Sequence, residues 1–173
     1  MPFTPYHFGP SGFIGLVFRK WIDLPVFVLA NVIVDVEVLL IGLFGLGWPI
    51  HRYCHTLLIG ALVGALWGIT AYPMRNIFRG VMKILHIPYQ TSLRIMLISG
   101  VLGVWLHVLI DGSYHSDVKM FWPYKTMLPW RMLHGHISKG QVETICILFI
   151  IATFVLYILT VTVFRSKWIK DNQ

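Results

Sequence analysis

The chain places ionisable residues where an apolar sequence should exclude them. Asp35 and Glu37 sit inside one apolar run, His51 and His55 open a second, and His107, Asp111 and His115 close a third. An Asp costs roughly 2.5–3.5 kcal/mol at the centre of a membrane-inserted helix, so acids and imidazoles kept there face an interior or a cavity and mark a polar site. His51 and His55 are four residues apart. On a helix they share a face, and two imidazoles on adjacent turns can grip one transition metal. His107 and Asp111 repeat that spacing, and His115 adds a third turn if the helix continues through Gly112. Asp35 and Glu37 are two apart, which on a regular helix sends them to nearly opposite sides. Either that helix is irregular, or one ligates and the other supports a ligand from behind or acts as a base. His7, after Thr4-Pro5-Tyr6 and ahead of a helix, suits a mobile further ligand.

Nitrogen and oxygen donors without thiolates favour zinc, with manganese or iron as alternatives. The candidate ligands His7, Asp35, His51, His55, His107, Asp111 and His115 outnumber the four that one zinc takes, so two ions are expected. Paired metals about 3.5–4 Å apart are a recurrent device for phosphoester hydrolysis. Glu37 is then a general base or a further ligand, and Arg52, between the two histidines, can hold an anionic phosphate in bidentate fashion. A metal-ion or proton carrier would use the same groups, but it needs a site reachable from both sides. The polar residues instead gather toward one face, and the fourth apolar run holds no ionisable residue. A non-catalytic scaffold with a structural metal is the third reading, with a filled, waterless coordination shell as its signature.

The elements that must position these groups are membrane helices. The 173 residues are 57% hydrophobic and 12% charged, with mean hydropathy +0.73, whereas soluble domains carry about 25% charged residues. This fits one integral membrane domain, residues 1–173, an all-α polytopic bundle. Four runs approach the ~20 residues that a bilayer requires: Leu24 to Leu46, Thr56 to Tyr72, Leu93 to Asp111 and Thr144 to Phe164. A shorter stretch, Phe8 to Phe18, adds an N-terminal helix too short to cross comfortably. Gly60, Gly64 and Gly68 lie on one face of the second run and suit close helix packing. The segment 74–92, with Arg75, Arg79 and Lys83, reads as an amphipathic surface helix. Tyr114, Trp122, Tyr124 and Trp130 in the 113–140 connection suit the headgroup interface.

The net charge of +7 is spread over loops without a basic cluster, which disfavours nucleic acid and fits contact with anionic lipid. Cys54 and Cys146 build no disulfide framework, and the opening residues do not read as a cleavable signal. If the short first helix crosses or nearly crosses, nine basic residues share one side and five the other. The richer side is then cytoplasmic, which puts His7, His51, His55, Asp111 and His115 toward the opposite face.

With these motifs in hand, the chain resembles the bacterial membrane-bound metal-dependent hydrolases, also described as LexA-binding, inner-membrane-associated hydrolases. The motifs that carry the likeness are Tyr6-His7-Phe8-Gly9, Asp35-Val36-Glu37, His51-Arg52-Tyr53-Cys54-His55-Thr56, and His107-Val108-Leu109-Ile110-Asp111 followed by Phe121-Trp122-Pro123. They span roughly residues 1–130, and their order between apolar runs is more specific than any one of them. A weaker likeness is to the helical zinc-dependent phospholipase C arrangement. The resemblance implies a bacterial inner-membrane enzyme that hydrolyses a phosphoester or other ester, with membrane lipid as partner or substrate. The chain departs from the family pattern in having Glu37 where many members have Asp. Its two histidines are four apart rather than five, and Ser113-Tyr114-His115-Ser116-Asp117 stands downstream of Asp111 where relatives often have Thr-Pro. These changes suggest a subfamily in which His115 replaces one ligand. Nothing in these residues accounts for LexA binding.

Overall fold

A computed structural model describes residues 4–47, 51, 53–124 and 138–171, with side chains as far as Thr162. Arg52 and the stretch 125–137, which includes Trp130, lie outside the described residues. The chain is an all-α bundle, and among the described residues every regular element is helical. A 3-10 turn, Thr4–His7, leads into α1 (Phe8–Val17). Then come α2 (Leu24–Phe44), α3 (Leu57–Ala71), α4 (Arg75–Ile84), α5 (Leu93–Tyr114) and α6 (Lys139–Asp171). Four segments are long and apolar enough to cross a membrane: Leu24–Phe44, Leu57–Ile84, Leu93–Tyr114 and Lys139–Thr162.

The helix starts follow from the sequence. Asp23, Thr56 and Ser92 are N-caps whose side chains accept from the backbone N–H three residues on, at Val26, Ile59 and Ile95 (3.1–3.3 Å). Each satisfies one of the amide donors that a helix leaves unpaired at its start. At the far end of α2, Gly45 takes a left-handed conformation (φ 61°) and returns its N–H to Ile41, the usual way for glycine to close a helix. Between the second run and the basic segment, Tyr72–Met74 forms a 3-10 turn around Pro73. Helix α4 then buries Phe78 and Met82 and exposes Arg79 and Lys83.

Close packing sets the helix directions. A Cβ on Gly64 would lie 2.5 Å from the Gly100 carbonyl oxygen, and one on Gly68 2.6 Å from that of Met96. The α3 glycine stripe therefore runs antiparallel against α5 with backbones in contact, as small residues permit between membrane helices. Gly103 of α5 lies against Phe27 and Ala30 of α2, and Asp23 N–H donates to Ser99 Oγ (2.7 Å), so α2 runs parallel to α5. Gly9 and Gly12 meet Cys146 and Thr153, which pairs α1 in parallel with α6. The starts of α1, α3 and α6 and the end of α5 thus share one end of the bundle. The segment after α5 folds back over that end. Val118 and Met120 are buried against Ala30, Val34, Val104 and Val108, and the Met120 carbonyl accepts from Leu57 N–H at 2.9 Å.

The α3–α5 seam should be the least forgiving part of the fold. Gly100→Leu is expected to cost at least about 1–3 kcal/mol, the usual range for overpacking. Gly42→Leu, at a position with nothing within 4 Å, should change little. Thermal unfolding of the purified protein in detergent checks the pair.

Candidate metal centre

Asp111, one turn from the end of α5, organises the site. Its side chain is 4% exposed, and its two oxygens face different partners. Oδ1 lies 3.0 Å from His7 Nε2. A carboxylate only accepts, so His7 donates there. Oδ2 faces three imidazoles, with His107 Nε2 at 3.2 Å, His55 Nε2 at 3.6 Å and His51 Nε2 at 3.7 Å. Asp35 Oδ1 closes the group at 3.3 Å from His107 Nε2 and 3.7 Å from His55 Nε2.

These are not ordinary hydrogen bonds. His55 Nε2 and both ring nitrogens of His107 are buried without a hydrogen-bond partner, although carboxylate oxygens lie within 3.7 Å. Bond lengths of about 2.0–2.1 Å to a tetrahedral zinc put its ligand atoms about 3.3 Å apart. The observed separations among His55, His107, Asp35 and Asp111 fall close to that value, and all four ligand atoms lie within 4.8 Å of one another. Buried donor atoms that converge without bonding one another fit a cation better than they fit a hydrogen-bond network.

Behind the ligands stand further carboxylates. Glu37 accepts from His55 Nδ1 (3.2 Å) and from the backbone N–H groups of Tyr53 and Cys54 (3.0 and 3.1 Å). With Nδ1 donating, His55 presents the Nε2 lone pair toward Asp35 and Asp111, the usual way an outer carboxylate orients a ligating imidazole. Asp117 does the same for His51, at 3.0 Å from Nδ1. Helix α2 is continuous through both acids, so Asp35 and Glu37 keep their different directions and take His55 from its two nitrogens. Of the alternatives for this acid pair, the geometry matches one acid at the ligand group and the other supporting it.

His51, His115 and Asp117 form a second set of three ligand atoms within 4.8 Å, with the His51 and His115 rings 4.4 Å apart. Helix α5 does pass through Gly112, but it stops at Tyr114. His115 has extended backbone (φ −108°, ψ 129°), so it joins this set from the returning segment and not from a third helical turn. His7 is placed as a donor to Asp111, stacked on His107 with centroids 4.2 Å apart, outside the four-atom group. Asp117 is the member of this set that the sequence reading leaves outside its ligand candidates. Its place two residues beyond His115 was the only available signal.

Outside the spans, the electrostatics follow these contacts. Burial opposes protonation of His55, but Asp35 and Glu37 outweigh it and hold the imidazole above its ordinary range. Burial pushes His115 down to about 4, leaving it neutral and able to ligate. Burial alone would raise Asp117, but the hydrogen bond from His51 outweighs that and holds the carboxyl below its usual range. Burial and the adjacent Glu37 charge push the Cys54 thiol up to about 11, so it stays protonated and is not a thiolate ligand. The exposed edges of the site are Asp35 and Asp117, each 24% exposed at the side chain, while His7, His51, His55 and His107 are at most 5% exposed and His115 is half-buried.

Two outcomes follow for metal titrations of the purified protein. Glu37→Gln should weaken binding by roughly 10–100-fold, the usual effect of removing a carboxylate behind a ligating histidine. Affinity should also rise with pH above the ordinary histidine range, because a cation must displace the proton that His55 holds more tightly than a free imidazole does. Flat affinity across that range would contradict His55 as a ligand. No family model, no curated protein and no solved structure matches the chain.

Proposed function

We propose that this chain is a metal-dependent hydrolase of a phosphoester or other ester at a membrane surface. The observation that carries the reading is the convergence of His55, His107, Asp35 and Asp111 with unpaired imidazole nitrogens at their centre. The resemblance to membrane-bound metal-dependent hydrolases agrees with it. Zinc suits this nitrogen and oxygen donor set, and the second set, His51, His115 and Asp117, offers a place for another ion. When bound, such an ion supplies Lewis acidity and an activated water.

The chain's own residues account for the rest. Glu37 and Asp117 fix the tautomers of His55 and His51, and His7 orients Asp111. Val118 and Met120 pack the returning segment over the core and exclude water from behind. The more exposed edge, at Asp35 and Asp117, leaves substrate a side from which to approach. Arg52, between His51 and His55 in sequence, is the candidate to hold an anionic group. Arg19, Lys20, Arg75, Arg79, Lys83 and Arg94 stand in α4 and in the connections and helix ends opposite the site. That asymmetry supports a cytoplasmic location for the basic end and an extracytoplasmic one for the site, in a bacterial inner membrane.

One observation favours a second reading. His55, His107, Asp35 and Asp111 would by themselves complete the four-ligand shell expected of a structural zinc. The test is metal content by mass spectrometry alongside hydrolysis of a chromogenic phosphodiester and of phospholipid. The expected result is bound zinc, activity abolished by chelation and restored by zinc, and loss of both metal and activity in His107→Ala. Full metal content with no hydrolysis of any ester would leave the structural-zinc reading standing. Full metal and activity in His107→Ala would overturn the proposal.

A further inference from the structure

At the end of the bundle opposite the metal centre, a groove of about 710 Å³ opens between the α1–α2 connection and α5. Its walls are apolar: Phe18, Trp21 and Ile22 on one side, and Ile95, Ile98 and Leu102 on the other. Trp21 is 67% exposed and Ile98 44% exposed, so neither is covered by the bundle. The three α5 residues follow helical spacing along one face, and from Arg94 to Leu102 that face runs about 12 Å at 1.5 Å per residue. Lys20 and Arg94 stand at the groove and are exposed. Among the described residues, no carboxylate comes within ion-pair distance of either one.

Asp23, next to the groove residue Ile22, is turned inward to other donors. Asp23 is fully buried, with Oδ1 accepting from Val26 N–H and Oδ2 from the Tyr89 and Thr91 hydroxyls. The groove therefore pairs two cations that no described carboxylate compensates with an apolar wall that continues along a membrane-spanning helix for about two fifths of the thickness of a ~30 Å hydrocarbon core. That is the shape and charge of one anionic phospholipid in one leaflet, with its phosphate at Lys20 and Arg94 and an acyl chain along Ile95, Ile98 and Leu102. Basic pockets between membrane helices bind acidic headgroups by this chemistry.

We propose that this groove is a specific site for an anionic phospholipid, separate from the metal centre and independent of whether that centre is catalytic. Native mass spectrometry of the detergent-purified chain, titrated with phosphatidylglycerol or with phosphatidylcholine, tests it. The expected result is preferential retention of phosphatidylglycerol. A basic residue near a lipid surface is worth roughly 5-fold, so Lys20→Gln with Arg94→Gln should weaken retention by about 25-fold. Arg79→Gln with Lys83→Gln removes equal charge from the exposed side of α4 and should leave retention unchanged. Ile98→Trp, which fills the groove without altering charge, should lower retention of the same lipid. Unchanged metal content and thermal midpoint would show that each variant is folded. Equal retention of the two lipids, or equal losses in the two charge pairs, would overturn the site in favour of general annular lipid. A dimer that dissociates in Ile98→Trp would overturn it in favour of a second copy of the chain.

Discussion

The arrangement of this molecule depends on one buried carboxylate. Asp111 sits at the end of a membrane helix with almost no contact with solvent. An isolated charge there would be neutralised or expelled. The chain surrounds it instead with His7, His51, His55 and His107, drawn from three separate stretches. Each must arrive at a set depth, which explains why His7 stands just ahead of α1, why His55 precedes the N-cap of α3, and why α3 and α5 approach to backbone contact. The glycine seam and the histidine cluster are two parts of one constraint: the seam fixes how far α3 can slide along α5, and so fixes where His51 and His55 meet Asp111.

Outer carboxylates extend the same logic. His55 lies between Asp35 and Glu37, and His51 between Asp111 and Asp117. An imidazole held from behind has one tautomer and one direction for its remaining lone pair. The cluster is thereby prepared for a cation before one arrives, at the cost of mutual repulsion among its acids. That cost is bearable because the acids and imidazoles alternate.

Much of this was legible in the residues. Hydropathy located α2, α3 and α5 to within a few residues, since a capping residue starts each of them, whereas α6 (Lys139–Asp171) runs well past Thr144 and Phe164 because its polar flanks continue the helix. Spacing of four brought His107 to Asp111, because that pair lies on one regular helix. The same rule did not govern His51 and His55. They lie ahead of α3 rather than on it, and they reach Asp111 through the path of the connection. His115 and Asp117 were less legible still. Their positions depend on the chain turning back after Tyr114 and on Met120 pairing with Leu57, a tertiary contact that local pattern does not encode. Glu37 was ambiguous because a two-residue offset on a helix says where a side chain starts and not how far it reaches.

The distance along the chain between His7 and Asp111, 104 residues, bears on how the protein is made. Membrane helices are delivered in order during synthesis. Asp35 and Glu37 therefore enter with α2 well before α5 has been translated, and the α3–α5 seam cannot close until then. Until α5 arrives, the early acids have only His7, His51 and His55 for company, and the carboxylate that gathers these imidazoles is missing. The nascent chain must hold its most polar groups at the membrane boundary through that interval. His7, His51 and His55 lie ahead of α1 and α3, outside the spans and within reach of water while they wait, so the position of these imidazoles also serves assembly.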